Sequence, residues 1–375
     1  MSYQEKINKV IEGYKYVGLN SLLIKNNQYY TSLNGFMDLD SKQPVELDTI
    51  FRIASISKVI VALGIMKLYE KHQLDVKDDI SKHLGYMVRN PHYPNVPITI
   101  EMLMTQTSSI SDGADDTKGY DGVNGPKVYI KLQDLLTNPS SEYYLERTFS
   151  NHLPGTHWEY SNFGCGILAC IIEKVSGLYF SDYIRKEILL PLDIDGSYRI
   201  SDIIHKNKVA TLYGVNSQKE FVMERNLDLF LQYEYPKYEL GDNFRMPAGG
   251  LFISITDLCK IMELLMHKGI YKNIRLFKEE TITYMMDVHW SGDSDDPTYR
   301  KKGLQLLILD SYGQTLYGHF GSAYGLKSFM LFNDHIGIIS LCNGAIYGSE
   351  EKRGITDFQH DLITFMLNYE EHQND

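Results

Sequence analysis

Phe51-Arg52-Ile53-Ala54-Ser55-Ile56-Ser57-Lys58 runs straight into Val59–Met66, the most apolar run of the chain. The pattern predicts a helix from about Ser55 to Lys71 that ends before the polar, acidic stretch Asp75–Asp79. Residues three apart share a helix face one turn from each other, so Ser55 and Lys58 can bring a hydroxyl and an amine within hydrogen-bond range. A serine needs an adjacent base to act as a nucleophile, and an amine in a poorly solvated cleft has its pKa lowered towards that role. The N–H groups at the helix start favour developing negative charge. Taken alone, the same residues also read as a capping serine before an ordinary helix with a solvated lysine.

Outward from this segment, Ile7, Val10, Ile11 and Tyr14 give an amphipathic helix over 4–17. Ser21–Ile24 and Gln28–Ser32 read as strands about an Asn26-Asn27 hairpin turn, and Asn34-Gly35 marks another turn. The middle of the chain, roughly 80–240, mixes short helical patterns with polar loops such as Ser111–Asn124. One long helix runs from about Phe163 to Val175, closed by Ser176-Gly177, and a further helical pattern covers Ile255–His267. After residue 300 the pattern turns to strands at Leu304–Leu309, Gln314–His319, Ser328–Leu331 and Ile336–Cys342, followed by a helix over about Ile355–Tyr369. The order predicts a two-lobed α+β fold: an antiparallel sheet built from both chain termini and flanked by helices, with a mostly helical lobe inserted. A single domain over 1–375 is expected, with the sheet lobe at about 1–80 and 245–375 and the helical lobe at about 81–244.

The 375 residues are 43% hydrophobic and 23% charged, which excludes a disordered or fibrous chain. The net charge of −11 and the lack of a dense Lys/Arg run argue against a nucleic-acid partner. Val59–Met66 is too short to span a bilayer, so no membrane insertion is expected. The charged N-terminal stretch does not read as a signal peptide, from which a cytoplasmic location is expected unless the native N-terminus is longer. Cys165, Cys170, Cys259 and Cys342 form neither a CxxC pair nor a ligand cluster, and the 12 histidines form no HExxH-like pair. No disulfide, metal or other cofactor is expected.

Two further segments carry chemistry. In Tyr160-Ser161-Asn162, directly before the second long helix, a tyrosine beside cations can have its pKa lowered enough to act as a general base. Asn162 supplies both an amide donor and an acceptor for a substrate or the Lys58 ammonium. Gly318-His319-Phe320-Gly321-Ser322 falls at the junction of two strand candidates, where glycines admit a ligand close to a sheet edge. In isolation the first segment also reads as a helix cap and the second as a glycine-rich turn.

The joint occurrence and order of SxxK, YxN and HxG resemble the serine β-lactamase and penicillin-binding-protein superfamily. The likeness is closer to the class C β-lactamase branch, with its D-aminopeptidases, DD-carboxypeptidases and family VIII esterases. Ile98–Ile110, Pro154–Gly177 and Pro247–Ser254 resemble further blocks of that branch, so the likeness spans about 15–370. It implies the β-lactamase/transpeptidase-like fold, with Ser55 as acyl-forming nucleophile, Lys58 as its proton partner and Tyr160 as general base and proton donor to the leaving group. It implies that Asn162 orients substrate and Lys58, and that His319 takes the first position of the KTG-type motif. The backbone N–H groups of Ser55 and Ser322, the residue after Gly321, would form the oxyanion hole. Two departures stand out. His319 replaces the Lys of many β-lactamases, which relaxes the demand for a substrate carboxylate, and Gln106 and Ser109 replace a usual His and Gly. The expected activity is hydrolysis of a small-molecule ester or amide through acyl-Ser55. The alternatives are action on β-lactams or D-Ala peptides, and a non-catalytic scaffold or binding member. Substrate and oligomeric state are not legible in the sequence.

Overall fold

The computed structural model describes residues 1–125, 127–292, 298, 300–348 and 355–371. Among them runs a nine-stranded antiparallel sheet whose spatial order is Trp290–Ser291, Lys301–Lys302, Leu307–Ser311, Gln314–Ala323, Leu326–Phe332, Ile336–Cys342, Gly18–Lys25, Gln28–Asp38 and Gln43–Pro44. The two chain ends meet where Ile336–Cys342 pairs with Gly18–Lys25, Ser340 lying opposite Ser21. Ile336–Cys342 and Leu326–Phe332 are buried at every position, as strands covered on both faces must be. Ile338 and Leu331 face a cluster formed with the Tyr3–Ile11 and Asp357–Leu367 helices. Their neighbours Ile339 and Met330 face the larger core, which holds the Ser57–Glu70 and Ile255–Met266 helices. This is the expected α+β architecture.

The Ser57–Glu70 helix is buried along nearly its whole length, so it is the central post of the molecule. Gly64 lets side chains close on it, since a Cβ there would lie 2.7 Å from Ile184 Cδ1 and 3.0 Å from Ile172 Cδ1. Ile172 belongs to the Asn162–Ser176 helix, which opens on the Ser161 cap (Gly164 N to Ser161 Oγ, 2.9 Å) and closes on Gly177 at φ 72°. Between residues 80 and 244 lie short helices together with the hairpin Leu212–Val215/Phe221–Arg225, strands absent from the sequence reading. No single helix among the described residues is long and apolar enough to cross a membrane, and the four cysteines are buried and free.

The Asn26-Asn27 turn forms as expected, with both φ angles positive at 53° and 61°. Other local expectations give way to pairing. The first helix stops at Ile11 because Lys15–Tyr16 pairs with Ala345–Ile346. Asn34-Gly35 is no turn but part of the Gln28–Asp38 strand, which bends past Val17 where only glycine fits: a Cβ at Gly35 would sit 2.1 Å from Val17 O. The strand expected at Leu304 begins at Leu307, since Gln305 adopts φ 55° and donates its N–H to Met104 O at 2.8 Å. Gly318–Ser322 is likewise no junction, because the Gln314–Ala323 strand runs through it.

Candidate active site

Ser55 lies on a single 3-10 turn, Ala54–Ile56, between the Ile50–Arg52 strand and the Ser57–Glu70 helix. Ala54, immediately before it, has φ 49°, a left-handed conformation that costs a residue with a Cβ about 1–2 kcal/mol. The turn is held from two sides: Ile53 N donates to Leu251 O at 2.9 Å, and Ile53 O accepts from Ser328 Oγ at 3.2 Å. Gly321 allows the sheet to press against it. A Cβ on Gly321 would lie 2.5 Å from Ile53 O and 2.3 Å from Ser328 Oγ.

Lys58 is fully buried below Ser55, and three oxygens surround its Nζ: Ser55 Oγ at 3.1 Å, Asn162 Oδ1 at 2.8 Å and Ala248 O at 2.9 Å. Burial holds this amine down to about 8. In the neutral form its two hydrogens go to the amide and peptide carbonyls, which can only accept. The lone pair then faces the Ser55 hydroxyl.

Tyr160 Oη donates to Ser55 Oγ at 2.6 Å, and the Lys58 Nζ lies 4.8 Å from the centre of its ring. Part of the Tyr160 ring faces the cleft, but its hydroxyl end is packed inside the site. Burial pushes the phenol above its ordinary value, so it keeps its proton at neutral pH. The expected lowering does not occur, because desolvation of a phenolate outweighs the Ser55 hydrogen bond, and Asp112 adds to the rise.

Asn162 is the first residue of its helix. Its Nδ2 donates to Asp112 Oδ2 at 2.7 Å, and Asp112 Oδ1 accepts from Phe163 N at 2.8 Å. Burial raises the Asp112 carboxyl against the pull of these donors. Sequence reasoning missed Asp112, which sat within the Ser111–Asn124 segment read as a polar loop. It also gave no role to Ala248 O. Neither carries a spacing signal, and tertiary folding alone brings them to the site.

His319 sits within the Gln314–Ala323 strand opposite Met330, its ring centre 6.5 Å from that of Tyr160. Its Nδ1 lies 2.6 Å from Phe320 O, to which the neutral tautomer donates. Burial, then the Lys302 and Lys58 amines, push this imidazole well below its ordinary value, so it is neutral. Lys302, fully buried and held down to about 7 by burial, is a second amine that the sequence did not single out.

The 98–110 block holds the approach to the site in place. Gln106 and Ser109 both take left-handed φ values, 62° and 63°, and Gln106 O and Thr107 O accept from Glu159 N and Gly155 N. The segment leading to Tyr160 is thereby tied down. Ser55, Tyr160, Asn162, His319, Gly321 and Ser322 line one cleft of about 730 Å³, with Lys58 beneath it. All seven candidate residues meet there.

Fold and site together define an SxxK architecture, with Ser55 and Lys58 one helical turn apart and Tyr160 against the Ser55 hydroxyl. The chain belongs to the beta-lactamase family, whose sequence model matches residues 4–360. It is similar to Protein flp of Staphylococcus aureus (strain N315), at 31% identity over 195 residues, covering 50% of this chain and 37% of that protein. It is also similar to Penicillin-binding protein 4* of Bacillus subtilis (strain 168), at 34% over 161 residues, covering 42% of this chain and 32% of that protein. The matches thus span about a third of the length of these relatives. Among solved structures, the octameric penicillin-binding protein homologue from Pyrococcus abyssi superposes with a TM-score of 0.74 at 23% identity, covering 97% of this chain and 76% of that one. The D-amino acid amidase from Ochrobactrum anthropi SV3, solved with D-phenylalanine, gives 0.70 at 18%, covering 96% and 95%. At such identities the likeness is one of fold.

Proposed function

We propose that this protein is a serine hydrolase that cleaves an ester or amide bond through an acyl-Ser55 intermediate. One observation carries the reading: Lys58 Nζ and Tyr160 Oη converge on Ser55 Oγ at 3.1 and 2.6 Å. In this mechanism Ser55 Oγ attacks the carbonyl carbon and its proton passes to the neutral Lys58 amine. The oxyanion is held by the N–H groups of Ser55 and Ser322. The leaving group takes a proton from Tyr160, which the Lys58 ammonium restores. Water then enters in the place of the leaving group, and the same steps in reverse release the acid and regenerate Ser55.

The similar proteins support a carbonyl of this class, since one is a D-amino acid amidase and others are penicillin-binding proteins or their homologues. The neutral His319 favours an ester or amide over a β-lactam, because a lysine charge is missing from that position. The test is intact-protein mass and product release after exposure to a penicillin and, separately, to a simple aryl ester, with Ser55→Ala as control. Ser55-dependent ester turnover without a penicillin adduct supports the esterase or amidase reading. A Ser55-dependent penicillin adduct moves the assignment to the penicillin-binding side. Turnover that survives Ser55→Ala places the nucleophile elsewhere, and a protein inert to every probe is a scaffold member.

A further inference from the structure

The cleft carries positive charge that none of these catalytic roles uses. Among the described residues, the charged side chains lining it are Arg52, Arg225, Arg245, Lys327 and Glu234, in a chain of net charge −11. Glu234 is already engaged, 2.6 Å from Arg199 Nη2 and 2.7 Å from Ser201 Oγ.

Arg245 is only 6% exposed. Its Nη1 donates to Val128 O at 2.8 Å, while Nε and Nη2 are buried with the neutral Tyr238 hydroxyl as their hydrogen-bonding neighbour and no carboxylate among the described residues. Its guanidinium lies 5.1–5.6 Å from the ring centres of Tyr235, Tyr238 and Phe244. Arg52, three residues before Ser55, repeats the pattern. Its Nη1 is buried without an acceptor, and its guanidinium lies 5.0 Å from the centre of the Tyr324 ring, with Arg225 at 4.5 Å from the same ring. The strongest electrostatic neighbours of both buried guanidiniums are tyrosines, Tyr120 and Tyr235 being common to the two, and Arg52 also feels the Arg225 cation. A Cβ built on Gly249 would lie 3.7 Å from Arg52 Nη2, and Gly249 follows the Ala248 that holds Lys58. The cluster therefore borders the reacting centre.

Burying a guanidinium without a counter-charge opposes folding, and a cluster of cations adds mutual repulsion. The planar donor fork matches a carboxylate, which accepts two parallel bonds. We propose that Arg52, Arg225 and Arg245 form an anion subsite that holds a carboxylate of the substrate, so that the bond hydrolysed belongs to a carboxylate-bearing ester or amide. The inference rests on the acyl-Ser55 reading and sharpens it: the carboxylate is held on walls of the cleft other than the one that carries His319.

The test compares kcat/KM for three probes with their uncharged analogues: 4-nitrophenyl acetate as the neutral reference, mono-4-nitrophenyl glutarate with its carboxylate on the acyl side, and 4-acetoxybenzoate with its carboxylate on the leaving group. Expected is a preference of about tenfold or more for one carboxylate probe, which also assigns the side of the scissile bond that faces the cluster. Arg245→Gln and, from a half-exposed strand position that does not endanger folding, Arg225→Gln should each lower that charged-to-neutral ratio by about tenfold. Ratios of one or less for both charged probes, or ratios untouched by both variants, overturn the subsite while leaving Ser55 catalysis in place. If no probe is turned over, the acyl-Ser55 reading fails, and the subsite is then read directly by calorimetric titration of the Ser55→Ala protein with glutarate. Binding that Arg245→Gln and Arg225→Gln weaken supports it, and no binding overturns it.

Discussion

Asp112 decides which end of the Asn162 amide faces Lys58. Its Oδ2 takes the amide hydrogen at 2.7 Å, so the carbonyl end is left to accept from Lys58 Nζ at 2.8 Å. With Ala248 O also occupied, a neutral Lys58 has one free direction for its lone pair, the one towards Ser55 Oγ. Asp112→Asn removes this constraint, since an amide in its place can present either end. It also removes an anion that supports the Lys58 charge. The amine should therefore titrate at lower pH, and kcat should fall while the alkaline plateau is reached earlier. The folded state should lose about 1–3 kcal/mol, because the Asn162–Ser176 helix loses its carboxylate partner at Phe163 N. A pH–rate profile with a denaturation curve checks both. A profile unmoved on the pH axis would reduce Asp112 to a helix cap.

The acid limb of activity should belong to Lys58. Its folded pKa of about 8 lies below the ordinary 10.5, and only the unprotonated amine accepts the Ser55 proton. The value of kcat/KM should thus climb about tenfold per pH unit below 8 and level off above it. The same depression means that the native state binds fewer protons than the unfolded chain between about 8 and 10.5. This group's effect on stability therefore rises with pH in that window. A rate independent of pH from 6 to 9 would rule out Lys58 as the base.

Tyr160→Phe separates proton donation from nucleophile activation. The phenol keeps its proton in the resting site, so its main task is to protonate the leaving group. Amide turnover should fall by about 10²–10⁴, and turnover of a 4-nitrophenyl ester, whose leaving group needs no proton, should fall much less. Equal losses for both substrates would return Tyr160 to the role of base acting on Ser55.

Gly321→Ala should damage the site without touching a reacting group. Its Cβ would collide with the Ile53 carbonyl at 2.5 Å, and backbone cannot swing aside as a flexible side chain can. The Gln314–Ala323 strand must then back away from the Ser55 turn and carry Ser322 with it. The expected cost is about 1–3 kcal/mol of stability and a loss of kcat for every substrate. Crystallography and stopped-flow acylation check it, and a variant with normal kcat would show that the close approach is dispensable.

Much of the machinery was legible in the chain because it is encoded locally. Ser55 and Lys58 are one helical turn apart, Ser161 caps the helix that Asn162 begins, and the apolar run Ile336–Cys342 marks a buried strand. The early end of the first helix, the strand through Asn34-Gly35 and the uninterrupted strand through His319 were not, since each follows from a partner strand lying elsewhere in the sequence. The protonation states divide in the same way. Residue type and order singled out Tyr160, but its retained proton depends on how tightly the fold packs its hydroxyl, which no spacing records.

Local pattern therefore settled the α+β layering, because periodicity and capping act over a few residues, while the order of the motifs and the resemblance it carries singled out seven residues, Ser55 among them. Folding settled which groups set their chemistry. The Asp112 carboxylate lies 50 positions from the amide it orients, the Ala248 carbonyl lies 190 from the amine it holds, and three arginines from separate segments share one cleft in which, among the described residues, no carboxylate is left free to pair them. Such meetings depend on long-range packing and on the desolvation it brings, and both exist only once the chain has closed on itself.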